Sequence, residues 1–186
     1  NTVLGLFENG GPVFRWRVRT ACRTPDELLA LVTGLFRASD APMPGAAAFA
    51  CVAPRVTDAL REFSRKWIGG EAVEVNPDTA GLEIDYPNPG ELGPDRLANA
   101  AGALLVADPP VIVADFGTAT TFDVIDGRGR FLGGAILPGV GTAASELFRR
   151  AERLNPLDLR FPEHPMGRST GEAVRSGVLW GAVVAR

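Results

Sequence analysis

The stretch Val111-Ile112-Val113-Ala114-Asp115-Phe116-Gly117-Thr118 decides the fold. Its first four residues are apolar and mostly β-branched, which is typical of a buried strand, and the next four form a short polar turn. Two further β-rich runs follow over 120–125 and 131–137, and they are separated by Asp126-Gly127-Arg128-Gly129. Runs of this kind around a Gly-containing turn predict a β-hairpin. The second half of the chain therefore begins as a strand, a polar turn and a hairpin.

The start of the chain has the same pattern. Asn1-Thr2 precedes two β-rich runs on either side of Asn9-Gly10, and Asn-Gly is the strongest short-range hairpin signal. Thr2 and Phe14 are 12 residues apart, whereas Thr118 and Phe131 are 13 apart. A bulge or a changed turn produces such a difference. Two interpretations stay open: an internal repeat, or two hairpins that share a common pattern.

Helices and strands alternate between and after the hairpins, which predicts an α/β fold. Thr24-Pro25-Asp26-Glu27 combines an N-cap, a first-turn proline and an acid at N3, so it predicts a helix start. The remaining elements are predicted as strands over 46–52 and 72–75, helices over 54–67, 95–107, 142–154 and 173–186, and loops over 77–94 and 155–167.

Composition excludes several classes of protein. The chain has 186 residues, 46% of them hydrophobic and 22% charged, with a net charge of −3. Such a balance gives no general attraction to nucleic acid or to an anionic membrane, and no apolar run is long enough to span a bilayer. Cys22 and Cys51 are too isolated to indicate a disulfide framework or a zinc site. We therefore expect a cytoplasmic protein that binds neither nucleic acid nor membrane.

Both ends of the sequence suggest that it is incomplete. The chain starts at Asn1 rather than at a methionine, and it ends at Arg186 inside a predicted helix without a stop signal. If the repeat is real, an Asp-x-Gly that matches Asp115-Phe116-Gly117 is expected just before Asn1.

The two turns suggest phosphate chemistry. Backbone N–H groups of a turn and threonine hydroxyls are good phosphate ligands, and a neighbouring carboxylate can hold the cation that accompanies a nucleotide. Phosphoryl transfer depends on positioning and charge neutralisation, so these groups would suffice with one added base. Two related lobes facing each other across a cleft are the expected architecture.

Five segments, in this order, resemble the motifs of type III pantothenate kinase, and together they span nearly the whole chain. They are Asn1-Thr2, Tyr86-Pro87-Asn88-Pro89-Gly90-Glu91-Leu92-Gly93-Pro94-Asp95-Arg96, Asp115-Phe116-Gly117-Thr118-Ala119-Thr120-Thr121, Gly133-Gly134-Ala135-Ile136-Leu137-Pro138-Gly139 and Ser169-Thr170-Gly171-Glu172-Ala173-Val174. Any one segment alone would be a weak signal.

The resemblance implies an α/β fold of duplicated actin/hexokinase-like (ribonuclease H-like) lobes around a nucleotide cleft. Residues 1–110 would form the N-terminal lobe with the substrate loop, and residues 111–186 a second lobe that is incomplete at its C-terminal end. It implies transfer of the ATP γ-phosphate to the hydroxyl of pantothenate, the first step of coenzyme A biosynthesis. It also implies a homodimer, a divalent cation such as magnesium, and a monovalent cation, potassium or ammonium.

Four adjacent residues, Gly93, Pro94, Asp95 and Arg96, match the family's substrate segment. By resemblance Asp95 is the general base that accepts the proton of the attacking hydroxyl, although an acid at a helix start is also explained by the helix dipole. Arg96 would bind the substrate carboxylate. Pro94 stands where the family usually has Ala and lacks a backbone donor. Tyr86, the sole tyrosine, matches a substrate-contacting position, or else it covers the core.

The nucleotide and cation residues also follow from the resemblance. Asp115 would bind the potassium ion, Thr118 the ATP phosphates, and Asn1 and Thr2 the first phosphate turn. Thr170 would contact pantothenate, but Ser169 or Thr170 must also cap the helix that follows. The sole histidine, His164, has no partner pattern and is expected at the surface, as is the charged strand face of Arg15, Arg17 and Arg19.

Two other functions stay open. One is a transcription accessory regulator of the same family without enzymatic activity, and the other is a different small-molecule kinase of the same superfold. Asp95, Asp115 and Thr118 favour an enzyme over the regulator, and the lack of a basic segment disfavours direct DNA contact. The stretch from Tyr86 to Arg96 favours pantothenate over other substrates, since a fold alone does not determine the substrate.

Overall fold

The computed structural model describes residues 2–21, 24–68, 72–151 and 158–184. The chain divides into two compact units. Unit 1 comprises Asn1–Leu82 and Pro87–Ala101, and unit 2 comprises Glu83–Tyr86 and Gly102–Arg186. Helices and strands occur in both units, which confirms the α/β class. Within the described ranges, no helix is long and apolar enough to cross a membrane.

Unit 1 begins with an antiparallel hairpin of β1 (Thr2–Glu8) and β2 (Gly11–Val18). Asn9 and Gly10 form its turn with φ of 51° and 81°, the left-handed conformation that an Asn-Gly hairpin turn requires. The other elements are α1 (Pro25–Ala38), β3 (Ala47–Phe49), α2 (Pro54–Trp67), β4 (Ala72–Glu74), a 3₁₀ turn at Pro89–Glu91 and α3 (Pro94–Leu104), whose last three residues belong to unit 2. β3 and β4 pair in parallel.

The core of unit 1 forms between the hairpin and the first two helices. Its buried side chains are Leu6, Val32, Phe36, Phe63 and Ile68. The apolar face of β2 packs on this cluster, and the Trp16 ring lies 5.1 Å from that of Phe36. The arginines between the apolar residues of β2 are exposed, as their alternation predicts.

The start of α1 is fixed by the predicted capping box. The Thr24 hydroxyl accepts a hydrogen bond from the Glu27 amide at 3.2 Å, and the Glu27 carboxylate accepts one from the Thr24 amide at 2.7 Å. Both interactions satisfy N–H groups that have no partner inside the helix. The sequence-based prediction of this helix start is confirmed.

Unit 2 is built on a four-stranded sheet. Its strands are β5 (Glu83–Ile84), β6 (Val111–Phe116), β7 (Ala119–Ile125) and β8 (Arg130–Pro138), followed by helices α4 (Val140–Arg150) and α5 (Thr170–Val184). The strand order is β5-β8-β7-β6; β5 runs parallel to β8, and the other neighbours are antiparallel. The predicted strand and hairpin of the second half are thus confirmed.

Several predicted boundaries are wrong, and one strand was missed. The segment 77–94, predicted as a loop, contains β5 and the 3₁₀ turn. Two residues are too few for a periodic pattern, so only the partner strand reveals β5. β3 is shorter than predicted because it pairs with only three residues of β4. The predicted loop over 155–167 falls partly on residues outside the described ranges.

The two hairpins share one irregularity. In the first, Leu6 pairs with Phe14 and Phe7 with Pro12, so Val13 is an extra residue on the second strand. In the hairpin of β7 and β8, Leu132 is the corresponding extra residue, since Val124 pairs with Gly133 and Ile125 with Phe131. Both are β-bulges, which bend a strand and increase its twist. The hairpins differ in the turn that joins their strands.

Asp126 organises the turn between β7 and β8. Its carboxylate accepts hydrogen bonds from the backbone N–H groups of Arg128 and Arg130, both at 2.9 Å, and from the Arg130 guanidinium. These interactions lower the pKa of Asp126. The hydrogen bond from the Arg130 backbone N–H contributes most, those from the Arg128 backbone and the Arg130 side chain add to it, and partial desolvation opposes them. These bonds favour the ionised form in the folded state.

We expect Asp126→Asn to lower the thermal unfolding midpoint at pH 7, because the amide keeps an acceptor oxygen but loses the charge. A carboxyl whose folded pKa is depressed stabilises the fold above its unfolded pKa, about 3.9, and this stabilisation is lost as the pH falls through the lower folded value. The difference in midpoint between the variant and wild type should therefore shrink below about pH 4. A constant difference from pH 7 to pH 3 would contradict this expectation, and Asp108→Asn, at an exposed residue, is the control.

Candidate functional site

The turn between β6 and β7 lies against the start of α4. The backbone oxygen of Thr118 accepts hydrogen bonds from the Gly139 amide at 2.9 Å and from the Thr142 hydroxyl at 2.6 Å. A Cβ atom at Gly139 would overlap the carbonyl oxygen of Gly117 and lie 2.7 Å from that of Thr118. The Thr118 side chain is exposed. An accessible hydroxyl beside a helix N-terminus, where backbone N–H groups are available, suits a phosphate.

Asp115 is the second-to-last residue of β6 and pairs with Thr121 of β7. Directly opposed residues of an antiparallel pair present their side chains on the same face, with Cβ atoms about 5 Å apart. The Thr121 hydroxyl is buried and has no hydrogen-bond partner among the described residues. A carboxylate beside such a hydroxyl provides oxygen ligands, which hard cations prefer. These two residues fit a cation, although no group of three His, Cys, Asp or Glu in the described ranges is arranged to hold a metal.

The predicted substrate segment begins α3. Asp95 is the second residue of the helix and is exposed, and its carboxylate Oδ1 accepts the Arg96 amide at 2.9 Å. A Cβ atom at Gly93 would lie 2.5 Å from the same Oδ1. The missing side chain of Gly93 therefore gives the Asp95 carboxylate the space for this conformation.

Pro94 fits the first position of α3 without cost to the helix. The N–H group of a first-turn residue has no intrahelical acceptor, and the fixed φ of proline suits this position. The donor that Pro94 lacks is thus not one that the helix needs. Arg96, two residues later, is partly buried. The start of α3, with the residue before it, thus contains the whole predicted substrate segment of Gly93, Pro94, Asp95 and Arg96.

Tyr86 is the last residue of Glu83–Tyr86, the short segment from the middle of the chain that belongs to unit 2. Backbone pairing of Ile84 with Phe131 is followed by a 2.9 Å hydrogen bond from the Asp85 amide to the Phe131 oxygen. The Tyr86 ring meets the Phe131 ring edge-on, with centroids 6.4 Å apart, and is only partly buried. The segment is attached to β8, and the tyrosine retains an accessible surface.

Ser169, not Thr170, caps α5. The Ser169 hydroxyl accepts the Glu172 amide at 3.2 Å, and the Glu172 carboxylate accepts the Arg168 amide at 2.7 Å. Thr170 is the first residue of the helix, is exposed, and lines a groove of about 760 Å³ formed mostly by apolar residues of α4 and α5. Because Ser169 performs the capping, the hydroxyl of Thr170 remains available to a ligand.

The remaining predicted residues are placed as follows. Asn1 lies outside the described residues. The Thr2 hydroxyl is 3.0 Å from that of Thr20 and shares a hydrogen bond with it. His164 is exposed, as predicted. Unit 1 therefore holds Thr2 and the helix start with Asp95, and unit 2 holds Tyr86, Asp115, Thr118 and Thr170.

Sequence reasoning assigned no role to Thr121, Gly133 or Gly139. All three lie inside the segments that resemble the family's motifs, but their importance depends on strand register and on close backbone approach. Of the three, Gly139 has a local signal in the sequence, since a Pro-Gly pair before a helix indicates a tight junction between the strand and the helix. The register that opposes Thr121 to Asp115 was not deducible from the residue pattern.

Comparison with known proteins assigns the family. The family model for type III pantothenate kinase matches residues 1–185. A type III pantothenate kinase of Desulfosudis oleivorans is 41% identical over 186 residues, covering 97% of this chain and 73% of that protein. One from Thermus thermophilus is also 41% identical, over 184 residues, with the same shares of the two chains covered.

A solved structure resembles the fold. It is a Campylobacter jejuni protein assigned by name to the Baf family of transcriptional activators, with a TM-score of 0.53 and 22% identity over 74% of this chain and 60% of that one. At this identity the likeness concerns the fold alone. The family match and the identity to the curated relatives confirm the family and the enzyme class predicted from the sequence: the chain belongs to the type III pantothenate kinase family.

Proposed function

We propose that this chain uses ATP to phosphorylate the hydroxyl of pantothenate, the first step of coenzyme A biosynthesis. The observation that carries the proposal is the family match over residues 1–185, together with relatives named type III pantothenate kinase at about 40% identity. The local geometry is consistent with it, because an exposed carboxylate begins α3 and an exposed threonine lies beside the start of α4.

Asp95 is the general base of the proposed reaction. The carboxylate would accept the hydroxyl proton of pantothenate while the new O–P bond forms and the bond to the β-phosphate oxygen breaks. Support comes from its exposure and from Gly93, which leaves space for the carboxylate. The proton moves to a carboxylate oxygen, and ADP is the leaving group.

Thr118 and the N-terminus of α4 are the proposed phosphate ligands of unit 2. Their support is the junction at Gly139, which brings the turn against the helix start. Asp115 and Thr121 would hold the monovalent cation, potassium or ammonium, and a magnesium ion would accompany ATP. When bound, these cations neutralise charge on the phosphates.

Tyr86, Gly93, Pro94, Arg96 and Thr170 are the proposed pantothenate contacts. The guanidinium of Arg96 can bind a carboxylate with two parallel hydrogen bonds. The Thr170 hydroxyl is exposed at the start of α5 and is not needed as the cap. Asn1 and Thr2 are proposed as the first phosphate turn, and the Thr2 hydroxyl shares a hydrogen bond with that of Thr20.

Duplicated actin/hexokinase-like lobes, separated near residue 110, are part of the proposal. Their support is the similar hairpins β1–β2 and β7–β8, each with one extra residue on its second strand. The homodimer and the cytoplasmic location stay predictions from the sequence and the family resemblance.

The test is an assay of ATP-dependent phosphorylation of pantothenate by this protein, with and without potassium. Potassium-stimulated formation of 4'-phosphopantothenate is expected. No product from a folded protein supplied with both substrates and magnesium would contradict the proposal and favour the regulator instead. Other small hydroxy acids serve as controls for a different kinase of the superfold.

Asp115→Asn tests the cation assignment. We expect the variant to lose its activation by potassium, because the amide removes the negative charge that compensates the ion, while the side-chain size is kept. The measurement is the phosphorylation rate as a function of potassium concentration. An unchanged potassium dependence would refute the assignment, and Asp108→Asn, an exposed residue of the same unit, should behave as wild type.

A further inference from the structure

Gly133 lies where β8 departs from regular pairing. Val124 pairs with Gly133 and Ile125 with Phe131, so Leu132 is inserted between the two pairs. Gly133 has a φ of 127°, a backbone conformation that residues with a side chain rarely adopt. Bulges re-aim neighbouring groups and are frequent beside active sites. This position of the bulge therefore favours glycine strongly over any residue with a side chain.

The ring of Tyr86 lies directly on Gly133. A Cβ atom at residue 133 would be 3.3 Å from Cε2 and 3.5 Å from Cδ2 of the tyrosine ring. The first of these distances is tighter than an ordinary van der Waals contact, so an alanine would require the ring to shift by a few tenths of an ångström. Gly133 itself is buried, whereas Tyr86 is only partly covered.

The backbone before Tyr86 is held independently of this contact. The Asp85 amide binds the Phe131 oxygen at 2.9 Å, and the Asp85 carboxylate is 3.1 Å from the Arg130 guanidinium. With the backbone attached to β8, the position of the tyrosine ring depends on the surfaces that it touches. Those surfaces include the Phe131 ring and the backbone of Gly133.

We propose that Gly133 is a positioning residue for pantothenate recognition, which acts by holding the Tyr86 ring against β8. Its missing side chain allows the ring to approach the strand, and the approach determines where the phenol hydroxyl is presented to the substrate. This inference rests on the proposed role of Tyr86 as a pantothenate contact. It assigns Gly133 no contact with the substrate and no part in the chemical step.

The test is a double-mutant cycle with Gly133→Ala, Tyr86→Ala and the double variant. We expect Gly133→Ala to raise KM for pantothenate about tenfold, equivalent to about 1.4 kcal/mol, with kcat and KM for ATP unchanged. In the Tyr86→Ala background, the same glycine substitution should leave KM for pantothenate unchanged, because the group through which it acts is absent.

The outcomes separate the inference from the proposed function. Additive effects on KM in the cycle would overturn the role of Gly133 and leave pantothenate phosphorylation intact. An unchanged KM in Tyr86→Ala would overturn both the role of Tyr86 and this inference. Absence of pantothenate phosphorylation by the wild-type protein would instead refute the proposed function itself.

Gly129→Ala is the matched control. Gly129 also has a positive φ, 81°, and precedes β8, but a Cβ atom there would meet only Leu104, at 3.9 Å. Gly129→Ala therefore tests the replacement of a positive-φ glycine next to β8 without touching Tyr86. We expect a loss of stability in Gly129→Ala without any change in KM for pantothenate. A rise in KM equal to that of Gly133→Ala would attribute the effect to strain and overturn the proposal.

A spectroscopic readout is available because Tyr86 is the only tyrosine of the chain. Protein labelled with 3-fluorotyrosine reports on this one ring by ¹⁹F NMR. We expect the resonance in Gly133→Ala to be shifted before any ligand is added, and that in Gly129→Ala to stay in place. An unshifted resonance in Gly133→Ala would overturn the proposal. If Gly133→Ala does not fold, Gly133→Asn takes its place in the cycle, because asparagine adopts a positive φ more readily than alanine and adds a Cβ atom at the same position.

Discussion

Asp95→Asn should lower kcat for pantothenate phosphorylation by about 10³-fold, within the range typical of a lost general base. The substitution preserves the size of the side chain and one acceptor oxygen. The asparagine can therefore still accept the Arg96 amide, and α3 should form as before. What it removes is the basic oxygen that receives the hydroxyl proton. KM for ATP should stay near the wild-type value.

Steady-state kinetics with thermal unfolding of the same samples checks this expectation. Asp108→Asn makes the same chemical change at an exposed residue shortly after α3, and it should leave kcat unchanged. Turnover of Asp95→Asn close to wild type would exclude Asp95 as the base. A fall in kcat accompanied by a lower unfolding midpoint would attribute the loss to misfolding.

Gly139→Ala should lower the free energy of unfolding by about 3 kcal/mol, at the upper end of the cost of overpacking. The added methyl group would overlap the Gly117 oxygen and approach the Thr118 oxygen, and both are backbone atoms that cannot move without shifting the turn. Molecules that do fold should bind ATP more weakly, because the turn carries the proposed phosphate ligand Thr118.

Gly141→Ala supplies the contrast two residues later, in the first turn of α4. Nothing lies within 4 Å of a Cβ atom at Gly141. Since alanine has a higher helix propensity than glycine, this variant should be at least as stable as wild type, with a gain below the roughly 1 kcal/mol of a helix-interior position. Chemical denaturation of both variants measures the difference. Equal stability of Gly139→Ala and Gly141→Ala would refute the close-approach argument.

Local signals in the sequence were sufficient for most elements. The capping box at Thr24, the Asn-Gly turn and the hairpin whose turn contains Asp126 are each determined by residues that are close in the chain. Such short-range interactions are encoded directly in the residue pattern. For the same reason the final helix was predicted with its cap, although only the hydrogen bond of Ser169 distinguishes the capping residue from Thr170.

Contacts between distant parts of the chain could not be predicted. β5 is too short to show a periodicity, and the pairing of Ile84 with Phe131 becomes visible only in the sheet. The opposition of Thr121 to Asp115 depends on a register that the sequence does not specify. The candidate residues themselves came from a family resemblance, because a carboxylate at a helix start such as Asp95 is equally explained by the helix dipole.

The pairing of β5 with β8 has a consequence for synthesis on the ribosome. Glu83 pairs with Arg130, so β5 is made 47 residues before its partner, whereas the two strands of the first hairpin are separated by a short turn. At about 5 to 20 residues per second, the partner of β5 follows several seconds later. The first hairpin can form during that interval, while the segment that carries Tyr86 waits for β8. The tyrosine therefore reaches its native surroundings only after β8 has been made.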